Sequence, residues 1–282
     1  MASDELFGDA IEFHDSEIRM PVIFVGHGSP INAIDDNEFS KVWTKIGQYL
    51  PKPRAILCIS AHWVTDGTRI TAVKQPKTIH DFYGFPQKLY EMLYPAQGSP
   101  ALARLTEQTL HKVRADMDFS RGLDHGAWSV LCRMFPHADI PVVQLSLDSK
   151  KEPKFHYELG MELMAFRNKG VLIIGSGNIV HNLMTLAWQD IAYDWALEFD
   201  EKVKQLILSG DHNSLTHYQK FGGVARLSVP TNEHYLPLLY VLSLQDKADR
   251  IIFFADRVTL GSISMRSVIF TDMHISPASK AS

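Results

Sequence analysis

Three apolar runs, each followed by a histidine, decide the fold: VIFVGH (22–27), AILCISAH (55–62) and VLIIGSGNIVH (171–181). The runs are short, rich in β-branched residues and bounded by glycine or polar residues, which is typical of buried strands. A strand that is apolar at consecutive positions has both faces covered, as in the parallel sheets of α/β proteins. The three runs therefore predict neighbouring strands of a largely parallel sheet.

Further strand and helix signals lie outside these runs. Strands are predicted at 69–73, 141–147, 250–254 and 262–270, and helices at 39–50, 99–113, 155–167 and 195–208. Because strand and helix alternate, we predict an α/β fold: a single-domain sandwich with a central, mostly parallel (mixed) sheet covered by helices on both faces. No helix separates the last two strand signals, so an antiparallel pair should end the sheet.

The division of the chain follows from the absence of any linker or repeat between residues 20 and 270 of 282. We expect an acidic N-terminal extension at 1–20, one main domain at 21–272 and a C-terminal tail at 273–282. The first twenty residues hold six acids and one cation, Arg19. This is the reverse of a signal peptide, so a cytoplasmic location is expected.

Composition excludes several classes of partner. The chain has 28 Lys and Arg against 32 Asp and Glu, and a net charge of −4 offers no basic surface for nucleic acid. No apolar run approaches the ~20 residues that cross a bilayer, so no membrane partner is expected. Cys58 and Cys132 lie in apolar stretches outside any CxxC pair, and we interpret both as buried thiols without a disulfide or a thiolate zinc site.

The placement of His27, His62 and His181 predicts a ligand site. Each stands just beyond an apolar strand run, and ligands of open α/β sheets bind outside the carboxyl ends of the strands. If the three strands are parallel neighbours, the three imidazoles converge. Imidazole is a common neutral metal ligand, and a histidine cluster without thiolates suits Fe(II) or Zn(II).

A third metal ligand beside His27 and His62 is available at the apparent start of an apolar helix. Glu233 and His234 are adjacent there, between two prolines. Either side chain could complete a three-ligand site with open positions. Alternatively, Glu233 only interacts favourably with the helix dipole.

Two other histidines have two interpretations each. The Asp124–His125 pair is either an imidazole oriented by the neighbouring carboxylate or only a turn. His80 lies in a loop with Phe82 and further aromatics, which either lines a pocket for a planar ring or is an ordinary surface loop. The remaining seven histidines lie in polar or terminal contexts and are interpreted as solvated: His14, His111, His137, His156, His212, His217 and His274.

Seven strings of this sequence resemble one family, and the resemblance runs from residue 21 to about 270. They are GHGSP (26–30), SAHW (60–63), TIHDFYGFP (78–86), YPAQGSP (94–100), LDHGAW (123–128), GSGNIVHNL (175–183) and EHYLPLLY (233–240). In this order they resemble the class III extradiol ring-cleaving dioxygenases of the DOPA 4,5-dioxygenase type.

The resemblance implies metal ligation by His27, His62 and His234, although the wider superfamily uses a carboxylate in the third position, and Glu233 remains the alternative. It implies that His181 is either a fourth ligand or the general base. It also implies that His125 is a second catalytic histidine of the same pocket. The aromatic loop with His80 and Phe82 would then bind the substrate.

The implied reaction opens the ring of a DOPA-like catechol by 4,5-cleavage with O2 at a non-haem metal, giving a muconic semialdehyde. Fe2+ is the expected cofactor because zinc has no accessible redox couple, and Zn2+ is an expected occupant of the same site. A zinc-dependent hydrolase and a non-catalytic metal-binding protein with a closed four-histidine site are the alternatives. The expected partners are the catechol and O2, with the chain as a monomer or small homo-oligomer.

Overall fold

The computed structural model describes residues 13–273, in which ten strands and nine α-helices are found. The strands are β1 Val22–Gly26, β2 Ala55–Thr65, β3 Arg69–Thr71, β4 Asp116–Asp118, β5 Val142–Asp148, β6 Val171–Gly177, β7 Arg250–Phe254, β8 Val258–Thr259, β9 Ile263–Ser264 and β10 Ser267–Thr271. The α-helices are α1 Glu38–Tyr49, α2 Gln87–Tyr90, α3 Pro100–Thr109, α4 His125–Met134, α5 Pro153–Met161, α6 Asp194–Ser209, α7 His212–Thr216, α8 Gly223–Ser228 and α9 Leu236–Ser243. Short 3-10 helices lie at Pro30–Ala33, Met164–Lys169, Leu183–Thr185 and Tyr218–Phe221.

Eight strands form one mixed sheet in the order β4-β3-β5-β2-β6-β1-β10-β7. The four central strands β5, β2, β6 and β1 are parallel, which confirms that the three apolar runs are neighbours. β10 pairs antiparallel with both β1 and β7, so the predicted antiparallel pair at the end of the sheet is also confirmed. β8 and β9 form a separate two-stranded sheet.

Alternate side chains of the central strands enter two hydrophobic cores, one on each face of the sheet. On β1, Val22 and Phe24 pack into the core that contains residues of α5, α6 and α9, whereas Ile23 and Val25 pack into the core of α1 and α4. Successive strand residues point to opposite faces, so a strand covered on both sides is apolar throughout. The α/β sandwich with helices on both faces is confirmed. Among the described residues, no helix is long and apolar enough to span a bilayer.

The predicted elements differ from the structure at several places. The strand β4 was missed because its sequence, Asp116–Asp118, is acidic and lies at the sheet edge. The interpretation of 124–125 as a turn is wrong, because Asp124 is the N-cap of α4 and accepts from the Ala127 amide. The predicted strand 262–270 is divided into β9 and β10. At this break, Met265 passes so close to Gly26 that a Cβ there would lie 2.7 Å from the Met265 carbonyl carbon.

Both ends of the chain lie partly outside the described residues. Residues 1–12 of the predicted extension and 274–282 of the predicted tail, including His274, are outside them, and the boundaries at 21 and 272 stay predictions. Within the described part, the amides of Ser16 and Met20 donate to the carbonyls of Asn168 and Arg167. The Arg167 guanidinium donates to Asp249 at 2.6 and 2.8 Å, so a buried ion pair lies beneath this segment.

One histidine interpreted as solvated is fully buried. His156 on α5 has no exposed surface, and its Nδ1 lies 3.1 Å from the Tyr240 hydroxyl on α9. Burial lowers the pKa of His156 to about 4, although the backbone and charge of Asp148 act in the opposite direction. The interpretation is wrong because the apolar spacing of α5 places this position on the face that packs against α9.

We predict that His156 makes the protein less stable in acid. The unfolded chain takes up a proton near the ordinary pKa of His, about 6.5, whereas the folded protein does so only near 4. The contribution of His156 to the free energy of unfolding should therefore decrease as the pH falls below about 6.5, and it should level off near pH 4. Between about pH 7.5 and about pH 5, wild type should therefore lose about 2 kcal/mol more unfolding free energy than H156Q does.

Urea unfolding of wild type and H156Q at the two pH values measures this effect. The matched control is H111Q, since His111 is exposed and its replacement should leave the pH dependence as in wild type. Equal acid destabilisation of wild type and H156Q would contradict the prediction.

Candidate metal centre and catalytic pocket

The site lies at the carboxyl ends of β2, β6 and β1. His27 directly follows β1, where its amide donates to the Gly177 carbonyl at 3.0 Å. His62 lies within β2, because this strand continues past an irregularity between Ile59 and Val64 instead of ending before the histidine as predicted. The parallel register thus brings the two imidazoles to one edge of the sheet.

His234 reaches the same place from the connection that leads into α9. Its carbonyl accepts from the Asn178 amide at 2.8 Å. Its backbone also packs directly on β6. A Cβ added at Gly177 would lie closer to the His234 carbonyl oxygen than two non-bonded atoms can approach. Glycine is therefore required at this position for His234 to approach the sheet.

The imidazoles of His27, His62 and His234 converge on one point. Nε2 of His27 lies 3.1 Å from Nε2 of His62, and the His234 ring centre lies 5.3 and 5.0 Å from theirs. One nitrogen from each ring lies within 4.8 Å of the other two. These three side chains could hold a metal ion.

Hydrogen bonds on the far side of the rings fix which nitrogen faces this point. The Ser176 hydroxyl donates to the Gly126 carbonyl at 2.6 Å, so at 3.0 Å it accepts from Nδ1 of His27. Nδ1 of His234 donates in the same way to the Glu233 carboxylate at 3.1 Å. With the proton on Nδ1, Nε2 of each neutral ring keeps its lone pair.

Burial keeps these imidazoles neutral. It is the largest cause that lowers the pKa of His27 and of His234 well below the usual value, and neighbouring imidazoles lower both further. Burial, followed by the charge of His125, lowers the pKa of His62 to about 3, although Asp81 opposes this shift. Neutral imidazole is the form that binds metals. Nε2 of His234 is moreover buried without a hydrogen-bond partner among the described residues.

His62 is supported from behind by a buried polar network. The Ser60 hydroxyl donates to Asp124 at 2.6 Å, and the other Asp124 oxygen accepts from Gln144 at 2.7 Å. Gly126 packs against His62 so closely that a Cβ would lie 2.9 Å from its Cδ2. The suggestion that Asp124 orients His125 is wrong, because Asp124 faces this network as the N-cap of α4.

His181 stacks on His234 rather than joining the three converging rings. The two ring centres are 3.5 Å apart and the planes differ by 7°. A nitrogen of His181 lies near His234 and Glu233, but not within the same distance of both His27 and His62. Burial lowers the pKa of His181 to about 4, against the opposing charge of Glu233.

Asp81 orients His125, and sequence reasoning missed this residue. Its Oδ1 accepts from both the amide and Nδ1 of His125 at 3.0 Å, and its Oδ2 lies 3.8 Å from Nδ1 of His62. Although burial alone would raise the pKa of Asp81, hydrogen bonds from His125 lower it to about 2. The only available signal was its position within TIHDFYGFP (78–86). Ser176 was also missed, although it lies within the quoted GSGNIVHNL.

The aromatic loop lies beside His125. The Phe82 ring centre is 5.6 Å from that of His125, in an edge-to-face arrangement. His80 lies one layer further away, 5.8 Å from Phe82 and 5.6 Å from Trp128. Because Nε2 of His80 lies 2.9 Å from the Met92 carbonyl, this histidine has a partner within the loop.

The sequence and the fold of this chain are similar to those of known proteins. Residues 21–254 match the family described as the catalytic LigB subunit of aromatic ring-opening dioxygenase. The chain is 48% identical over 259 residues to a protein of Escherichia coli (strain K12) named 4,5-DOPA dioxygenase extradiol, covering 90% of this chain and 95% of that one. A protein of Beta vulgaris with the same name is 40% identical over 222 residues, covering 76% and 83%. The crystal structure of an uncharacterized Escherichia coli K12 protein, 41% identical, matches with a TM-score of 0.79 over 90% of this chain and 100% of that one.

The fold, the histidine cluster and these matches together define an aromatic ring-opening dioxygenase. The chain belongs to the LigB family and is a class III extradiol dioxygenase. The predicted resemblance is thereby confirmed, and the hydrolase and non-catalytic alternatives are set aside.

Gly126→Ala should destabilise the protein at this site. The added Cβ would collide with the Ser60 hydroxyl and approach His62 Cδ2 to 2.9 Å, and overpacking of this kind costs about 1–3 kcal/mol. Gly223→Ala in α8 is the matched control, because the nearest atom is 4.0 Å from its Cβ. Chemical denaturation should give G223A wild-type or slightly higher stability. Equal stability of G126A and wild type would show that the collision is relieved without cost.

Proposed function

We propose that the protein opens the ring of a catechol of the DOPA type by 4,5-cleavage with O2, giving a muconic semialdehyde, at an Fe2+ held by His27, His62 and His234. The observation that carries this proposal is the convergence of one nitrogen from each of three neutral imidazoles beside an aromatic loop. The names of the Escherichia coli and Beta vulgaris relatives support DOPA as the substrate class.

The donor set fits a divalent transition metal. Three neutral nitrogen ligands without a thiolate suit Fe2+ or Zn2+ and leave coordination positions for other ligands. When bound, Fe2+ would supply Lewis acidity that favours the catecholate and the redox couple that O2 chemistry needs, which Zn2+ lacks. We expect Zn2+ to occupy the same site in isolated protein without supporting turnover.

Glu233 serves His234 in this proposal and is not itself a ligand. Its carboxylate accepts from Nδ1 of His234, and a carboxylate in this position fixes the ring and makes its other nitrogen a better donor. The Thr231 hydroxyl holds the same carboxylate oxygen at 2.8 Å.

His181 accepts a proton from a catechol hydroxyl in this proposal. Its ring is neutral at physiological pH and stacks on His234, one layer from the converging nitrogens. The charge of Glu233 favours the imidazolium that proton uptake produces. Its position outside the group of His27, His62 and His234 supports the role of base over that of fourth ligand.

Phe82 packs against the planar ring of the substrate, and His80 supports Phe82 from behind in the same loop. The stacking of aromatic rings in this loop, including Phe85 at 5.3 Å from Phe82, keeps an apolar wall beside His125.

We further infer a cytoplasmic protein that needs no partner beyond catechol and O2, acting as a monomer or small homo-oligomer. The free thiols of Cys58 and Cys132 are compatible with a reducing compartment.

The decisive experiment loads metal-free protein with Fe2+ or Zn2+ under anaerobic conditions. A panel of catechols, including DOPA, is then added with O2, and oxygen uptake and the yellow semialdehyde are followed. Fe2+ protein should consume one O2 for each ring opened, while Zn2+ protein should consume none. Full turnover with zinc, or no oxygen uptake with any catechol, would overturn the proposal.

We predict that H27A, H62A and H234A each lose the metal. Removal of one imidazole from a three-ligand site leaves two ligands, and the bound metal should fall from one equivalent to nearly none. E233A should keep one equivalent at saturating metal but bind it about 10–100-fold more weakly, because Glu233 acts through His234. Metal analysis of the purified variants measures both effects. If E233A loses the metal and H234A keeps it, the two roles are exchanged.

We predict that H181Q keeps the metal and binds catechol but turns over slowly. General-base catalysis contributes typically ~10²–10⁴-fold, so kcat should fall within this range. Inductively coupled plasma analysis and catechol titration of the same sample separate binding from turnover. If H181Q is metal-depleted and regains wild-type turnover with excess Fe2+, then His181 is a ligand.

A further inference from the structure

Asp81 makes two hydrogen bonds to one residue. Its Oδ1 accepts from the backbone amide and from Nδ1 of His125, both at 3.0 Å. A carboxylate can only accept, so Nδ1 of His125 is the donor and carries the proton. In the neutral imidazole this leaves Nε2 unprotonated.

His125 lies between the converging histidines and the aromatic loop. Its ring centre is 3.8 Å from that of His62 and 5.9 Å from that of His27, while Phe82 is 5.6 Å away on its other side. A planar ring that contacts both Phe82 and the three-histidine centre therefore passes His125. The His125 imidazole thus borders the space that such a ring would occupy.

The loop that carries Asp81 is tied to the beginning of α4, where His125 lies. The Trp128 indole donates to the Ile79 carbonyl at 2.8 Å, and the Ile79 amide donates to the Leu123 carbonyl at 2.7 Å. Because both contacts join the loop to residues that flank His125, Asp81 keeps its place relative to the imidazole. The carboxylate is thus preorganised and needs no rearrangement to hold the ring.

The geometry points to a role that rests on the proposed function: Asp81 is a positioning residue that holds the proton of His125 on Nδ1, so that Nε2 stays unprotonated as a hydrogen-bond acceptor for the substrate. Its second oxygen, 3.8 Å from Nδ1 of His62, is beyond hydrogen-bond distance, so its main effect is on His125. Loss of such an orienting carboxylate should lower turnover without removing the metal.

The first test measures the protonation of His125 without turnover. Protein labelled with 15N-histidine and loaded with Zn2+ is compared as wild type, D81A and D81E by NMR, with the His125 signal assigned by its absence in H125A. Wild type should show Nδ1–H at His125, D81A a mixture or the other tautomer, and D81E a return towards wild type. Unchanged Nδ1–H in D81A would overturn the proposal.

The second test measures turnover of the Fe2+ protein. D81A should lower kcat about 10–100-fold, with KM within about threefold of wild type and one metal bound, and D81E should recover part of the loss. E91A, which removes an exposed carboxylate from the same connection, should behave as wild type. In protein that already carries H125A, adding D81A should lower kcat by no more than about a further threefold.

Two outcomes of these measurements contradict the positioning role. Additive losses in the D81A/H125A double variant would show that Asp81 acts independently of His125. Two equivalents of Zn2+ in wild type and one in D81A would show that His62, Asp81 and His125 hold a second cation. If no variant and no wild-type protein consumes O2, the proposed function fails, and the NMR comparison still decides whether Asp81 sets the tautomer of His125.

Discussion

The approach of three buried imidazole nitrogens to one another is the constraint on which the site depends. Nε2 of His27 and Nε2 of His62 face each other at 3.1 Å, and Nε2 of His234 is buried near them without a partner among the described residues. Because the proton of His27 is on Nδ1, its Nε2 carries a lone pair, and only a proton on Nε2 of His62 or a bound cation can bridge the two nitrogens. A cation bound between the rings would be a partner for all three nitrogens at once, as expected of a metal-binding site.

This constraint explains the polar groups around the cluster. Nδ1 of His27 and Nδ1 of His234 each need an acceptor, or the proton would move to Nε2 and remove the lone pair that faces the centre. The Ser176 hydroxyl provides one because its own proton goes to the Gly126 carbonyl, and Glu233 provides another. The same logic extends to His125 and Asp81. In His27, His234 and His125 the proton is thus directed away from the centre of the site.

Sequence patterns predicted the parts of this arrangement that depend on strand order. His27 and His62 follow apolar runs whose strands, β1 and β2, both pair with β6, so their approach could be expected. The predicted convergence of His181 with them is wrong, because His181 stacks on His234 outside the three converging rings. Periodicity does not encode contacts between loops. Nothing in the spacing of Asp81 and His125 shows that they meet, and the adjacency of Asp124 and His125 suggested a wrong pair. His156 was misinterpreted because one polar residue on an apolar helix face resembles a solvated one.

The backbone contact at Gly177 restricts substitutions around His234 more than it restricts substitutions in the loop that carries Phe82 and His80. His234 is held against β6 by its main chain, with no intervening side chain to be trimmed or enlarged. The loop with Phe82 and His80 reaches the cluster through Asp81, which bonds to His125 and lies 3.8 Å from Nδ1 of His62, and within the described residues this loop contributes no strand to the sheet. Substitutions in that loop that keep Asp81 can therefore reshape the opening for bulkier or more polar catechols without moving His27, His62 or His234. An engineer who wishes to change the metal faces the opposite situation, since any shift of His234 must move a helix and a strand together.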